Sequence, residues 1–108
     1  MAITSTQTYG KGIANFETGS YITSSTAAAF DITTGFKPRY VRIVNETSGD
    51  QIEWFDGMAD SEGLKRIAAG AGALVTSNGI IPLSNGFTVG LDADINVINE
   101  QLSWLALG

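Results

Sequence analysis

Residues 39–55, "RYVRIVNETSGDQIEWF", alternate apolar and polar positions on both sides of a short polar stretch. Successive side chains of a strand point to opposite faces, so Val41 and Ile43 share one face while Tyr40, Arg42 and Val44 share the other. The same rule groups Ile52 with Trp54. Between the runs, residues 46–49 form a polar, Gly-containing connection of hairpin length. With Asn45 opposite Asp50, Ile43 faces Ile52 and Val41 faces Trp54, which makes one face of the ribbon apolar. The other face then sets Arg42 against Glu53 as a charge pair and Tyr40 against Phe55 as an aromatic pair, each worth about 0.2–1 kcal/mol. A slip of one residue would bring Glu53 among the apolar partners, so burial of one face forbids it.

The remaining pattern predicts further short strands. Residues 22–33 read as one or two, with Phe30 and Ile32 alternating with Asp31 and Thr33. Others fall at 64–68, at 73–76, in the pair "GIIPL" and "FTVGL", and at 101–107. Asp56-Gly57, Asn78-Gly79 and Asn85-Gly86 supply turns, because Asn, Asp and Gly tolerate positive φ. No helical period of useful length is present. The pattern predicts an all-β chain: a single-domain antiparallel β-sandwich, jelly-roll-like, over residues 21–108. Residues 1–20 differ in kind. Ser, Thr and Gly dominate them, and Ile3, Tyr9, Ile13 and Phe16 are too scattered for a core strand, so they read as an extended N-terminal arm.

Composition narrows the chemistry. The chain has 108 residues, no Cys and no His, which excludes a disulfide framework, a thiol nucleophile and the usual zinc site. The opening "MAITSTQTYGKG" lacks the basic start and apolar core of a signal peptide. Residues 67–91 carry no charge, but Pro82 and several glycines interrupt them, so no membrane span is expected. The net charge is −5, and Glu46, Asp50, Glu53, Asp56, Asp60 and Glu62 follow one another without a base. Lys37, Arg39 and Arg42 are too few to hold a phosphate backbone against that acidity, so no nucleic-acid partner is expected.

Candidate motifs fail on inspection. "DADIN", Asp92 to Asn96, opens like a calcium loop, but Val97 stands where the Gly should be and Ser103 where the bidentate Glu should be, leaving a solvated turn. "GAGALV" offers Gly70 and Gly72 to a dinucleotide fingerprint but has Val75 as its third element, and reads as a loop. Asp56, Asp60 and Glu62 lie close together in a polar stretch with little apolar surrounding to raise a pKa, so they read as solvated acids. A serine nucleophile would need Lys11, Lys37 or Lys65 as its base, and their spacing suggests no such role. "NET" at Asn45 is a glycosylation sequon without a secretion signal beside it. No catalytic residue, cofactor or metal is expected. Tyr40, Trp54, Phe55 and Trp104 would suit a sugar-stacking platform, but both tryptophans fall on expected core faces, which leaves Tyr40 and Phe55 outward.

"GFKPRYVRIVNETSGDQIEWFDGM", "LKRIAAGAGALVTSNGI", "GFTVG" and the closing "INEQLSWLALG", over residues 35–108, resemble small virion proteins of tailed phages, some of them similar to head decoration or cement proteins. The resemblance implies a non-enzymatic structural protein of the virion, made in the bacterial cytoplasm, that binds the major capsid protein on the outer head surface and stabilises the shell. It also implies a homotrimer, because such proteins commonly occupy threefold positions. Ile3, Thr4, Thr6, Thr8, Tyr9, Ile13 and Phe16 would then be the capsid-binding arm. Tyr40 and Phe55 would be the subunit interface. The alternative is a carbohydrate-binding or host-contact module of a tail or head fibre.

Overall fold

A computed structural model describes residues 15–22 and 28–108. The chain is all-β and antiparallel, and no helix occurs among the described residues. Its strands are β1 (Phe16–Ile22), β2 (Phe30–Thr33), β3 (Tyr40–Asn45), β4 (Gln51–Phe55), β5 (Glu62–Arg66), β6 (Gly72–Leu83), β7 (Gly86–Val89) and β8 (Gln101–Leu107). They form one eight-stranded sheet in the order β1-β8-β3-β4-β5-β6-β7-β2. Among the described residues the strands do not divide into the two packed sheets expected; a single sheet curls to cover its own apolar face. The curl is visible at its edges. β1 and β2 stand at opposite ends of the order, yet the Tyr21 and Phe30 rings stack with centroids 4.0 Å apart.

The β3–β4 hairpin has the register that its burial pattern requires. Tyr40 pairs with Phe55, Val41 with Trp54, Arg42 with Glu53 and Ile43 with Ile52, and the Asn45 N–H donates to Asp50 O at 2.7 Å. The inner face continues across the neighbouring strands: Trp104 and Ala106 of β8 lie beside Ile43 and Val41. Ile80, Phe87, Val89, Ile95 and Leu102 complete the buried core, where the Phe87 and Trp104 rings meet edge to face at 5.4 Å. Burial of such side chains stabilises by about 1.5–3 kcal/mol each. The Trp54 indole N–H is satisfied by Ala59 O at 3.0 Å, so the ring enters the core without an orphaned donor. Gly19 lets β1 close over Trp104, since a Cβ there would sit 2.6 Å from the indole.

Several expectations need correction. Residues 16–20, assigned to the arm, belong to β1, because β8 offers them a complete antiparallel edge. Residues 1–14, the rest of the arm, lie outside the described residues. The strand expected at 64–68 is β5, displaced toward Glu62 by the turn in which Ile67 N–H donates to Ala71 O. "GAGALV" is a loop only at its start, since β6 begins at Gly72. Asn78-Gly79 is not a turn between two strands. β6 runs through it as a bulge: Glu62 pairs with Ile80 and Gly63 with Val75, so residues 76–79 have no register partner on β5. Asn78 absorbs the excursion at φ 57, and Gly79 rejoins the sheet by donating to Ser61 O at 3.0 Å.

Candidate functional site

The registers of β1, β8, β3, β4, β5 and β6 align the outward side chains into rows across the convex face. The first row is Phe16, Leu107, Tyr40 and Phe55. The second is Thr18, Leu105, Arg42, Glu53, Leu64 and Leu74. A third is Ser20, Ser103, Val44, Gln51 and Arg66. Phe16 is 64% exposed and Phe55 46%, with Leu64 and Leu74 also open to solvent. The arrangement follows from strand geometry alone, because the pairing that buries Val41 and Trp54 must present Tyr40 and Phe55 on the other side.

Charge on this face is held in place by neutral neighbours. The expected Arg42–Glu53 contact does not form, although the two residues are cross-strand partners. Arg42 turns diagonally and donates through Nε and Nη2 to Gln51 Oε1 at 3.1 and 2.6 Å. Glu53 accepts instead from the Tyr40 hydroxyl at 2.5 Å. Burial, that hydrogen bond and the carboxylate's charge push the Tyr40 phenol up to about 12, against a smaller opposing pull from Arg42. Tyr40 is therefore a neutral donor throughout the physiological range. Val44, Ser103 and Leu105 line a shallow depression of about 340 Å³ beside Arg42.

The residues expected from sequence are distributed as follows. Tyr40 and Phe55 lie together in the first outer row, joined by Phe16, whose place in β1 the arm assignment obscured. Ile3, Thr4, Thr6, Thr8, Tyr9 and Ile13 fall outside the described residues. Trp54 and Trp104 are in the core, so the full four-ring sugar platform does not assemble. Tyr21 is an exposed aromatic that the alternation did not reveal: it shares the inner face with its partner Leu102 and stays open because β1 is an edge strand.

Asp92 is no solvated turn residue. It is 8% exposed, its Oδ1 accepts from the Asp94 N–H at 2.9 Å, and Lys65 Nζ lies 2.8 Å from Asp92 and 2.6 Å from Asp94. The Lys65 ammonium thus occupies the position between the carboxylates and ties the 90–100 loop to β5. Burial lowers its pKa, but the hydrogen bonds and charges of the two aspartates outweigh that effect, and the net shift is upward. A lysine so held is a poor general base. Asn45, the sequon residue, is fully buried: Nδ2 donates to Ile95 O at 3.1 Å and Glu100 Oε1 at 2.8 Å, while Oδ1 accepts from the Thr47 and Ser48 N–H groups. Its amide is a structural pin and offers no access to a glycan. No family model matches the chain, and neither does any curated protein or solved structure.

Proposed function

We propose that the protein is a non-enzymatic structural protein that works in multiple copies, with the convex sheet face as the contact between copies. The observation that carries this reading is the row Phe16, Leu107, Tyr40 and Phe55, an apolar band running over adjacent strands with the exposed Phe16 and Phe55 at its two ends. Contiguous exposed apolar surface rimmed by polar groups marks interaction sites. Arg42 and Glu53 stand side by side within this surface, so a second copy brings the opposite charge to each, which favours self-association over contact with a partner of one sign. The resemblance to tailed-phage head proteins supplies the setting: a homotrimer on the outer surface of the shell, bound to the major capsid protein. Several weak contacts made together by one trimer become tight attachment through effective concentration. A trimer that binds the assembled shell and not its free subunits stabilises the shell by mass action.

The test is assembly and attachment in parallel. Light scattering at micromolar concentration should give a trimer for the natural chain and a monomer for Phe55→Asp, with unchanged circular dichroism because Phe55 lies outside the core. The natural trimer should bind undecorated heads of the phage that encodes it, and the Phe55→Asp monomer should bind at least about tenfold more weakly. A monomeric natural chain refutes the interface. A trimer that ignores such heads and instead binds host glycans would favour the host-contact alternative.

A further inference from the structure

The Arg42 guanidinium is fixed by a neutral partner although a carboxylate stands opposite it in the register. Glu53 is taken by the Tyr40 hydroxyl, and Gln51 Oε1 accepts from Arg42 Nε and Nη2. Gln51 therefore occupies only the Nε edge of the planar fork. The parallel N–H groups of the Nη1–Nη2 edge, which match the oxygens of a carboxylate, meet no acceptor among the described residues. Nor is the charge cancelled there, since the ion pairs among those residues belong to Lys65. Gln51 also pairs with Arg66 on β5, so two arginines flank one neutral amide on the convex face of a chain whose net charge is −5. Beside the fork lies the depression of about 340 Å³, lined by apolar Val44 and Leu105 together with Arg42 and Ser103. Ser20 follows Ser103 in the same outer row. Ligand sites usually measure about 300–1,000 Å³, so this one has room for a single ring.

We propose that this depression binds an organic carboxylate carried on a saturated ring, as in the hexuronic acids of acidic sugars. The carboxylate takes the free edge of Arg42, the C–H face of the ring lies on Val44 and Leu105, and the ring hydroxyls reach Ser103 and Ser20. A bare oxyanion leaves the apolar lining unused, and a neutral sugar leaves the Arg42 edge unmatched. Gln51 is a positioning residue: it holds the fork still and, being neutral, leaves the whole charge to the ligand. Arg66 strengthens the attraction from beyond Gln51, well within a Debye length of about 10 Å. The site does not rest on the contact between copies, whose apolar band lies in the first outer row, about 13 Å along the strand from Val44. A second copy drawn toward Arg42 competes with the ligand, and opening that contact leaves the site intact.

Titration of the full chain with sodium glucuronate, followed by nuclear magnetic resonance at the Arg42 Nε–H and the Val44, Ser103 and Leu105 amides, tests the site. These signals should shift together and saturate with a Kd of about 1–10 mM. Glucose and inorganic phosphate should bind at least about tenfold more weakly. Arg42→Lys keeps the charge but loses the fork, and Gln51→Glu keeps the shape but supplies a carboxylate of its own. Each should weaken glucuronate binding about tenfold with unchanged circular dichroism. Cyclohexanecarboxylate, which has the acid and the ring without the hydroxyls, should bind more weakly than glucuronate; equal affinity overturns the assignment to a sugar. Phosphate binding as tightly as glucuronate overturns the proposal, as does a Gln51→Glu chain that binds like the natural one. Phe55→Ser removes the exposed ring without adding charge and should bind glucuronate at least as tightly as the natural chain, whatever becomes of the trimer. Absence of a saturable shift in both of these chains overturns the site and leaves the contact between copies untouched.

Discussion

At the residue scale, two buried or half-buried polar groups decide more than their neighbours do. Tyr40 has its pKa raised from 10.0 to about 12, so its environment favours the neutral phenol. The stabilisation it provides is complete below pH 10 and is lost as the pH climbs through about 12, when the native phenol must ionise beside Glu53. Tyrosinate absorbance, taken as the difference between the natural chain and Tyr40→Phe, should therefore show a midpoint near 12. Glu53→Gln should lower that midpoint without restoring the ordinary value, because burial remains the larger cause. Asn45 ties the β3–β4 turn to the 90–100 loop through both ends of its amide. Asn45→Ala leaves Glu100 and the turn N–H groups without that partner and should cost at least about 2 kcal/mol in a urea denaturation series. No local pattern in the chain announces this pin. The polar residues 46–49 were legible as a hairpin loop, but the partner that Asn45 holds lies 55 positions away and has no local signature.

At the scale of elements, legibility depended on whether the pairing partner was near in sequence. The β3–β4 hairpin was readable to its register because a short loop and one apolar face fix it together. The β6–β7 pair was readable for the same reason, with Leu83 opposite Gly86 across a tight turn. Arg42 shows the limit of such reading, since register places Cα atoms and leaves a long side chain free to choose Gln51 over Glu53. The bulge in β6 was misread because Asn-Gly signals positive φ without saying whether the strand ends there or continues. The 90–100 loop was misread because its partner Lys65 comes from β5. That contact carries its own prediction. Lys65→Met leaves Asp92 buried without a counter-charge and should destabilise the fold by about 3 kcal/mol, whereas Lys65→Met combined with Asp92→Asn should recover part of the loss. Thermal melts of the four combinations give the coupling directly. Added salt should change the Lys65 contribution little, since its side chain and that of Asp92 are only 16% and 9% exposed.

At the scale of the whole molecule, the all-β character was legible from spacing alone, but one curled sheet and two packed sheets share the same alternation of inward and outward residues. What distinguishes them is strand order, which depends on contacts between segments far apart in the chain. β8 carries the most consequential of these, since it lies between β1 and β3 while following both in sequence. During synthesis, therefore, β3 emerges from the ribosome long before the strand that covers one of its edges. The β3–β7 portion can form by hairpins between successive strands, but Trp104 and Leu102 reach the core only when β8 docks beside β3. Until then Val41 and Ile43 stand at an uncovered border. Cotranslational folding is thus held back to a late step, and a nascent chain stalled ahead of Gln101 would expose a sticky edge to chaperones or to other ribosome-bound copies.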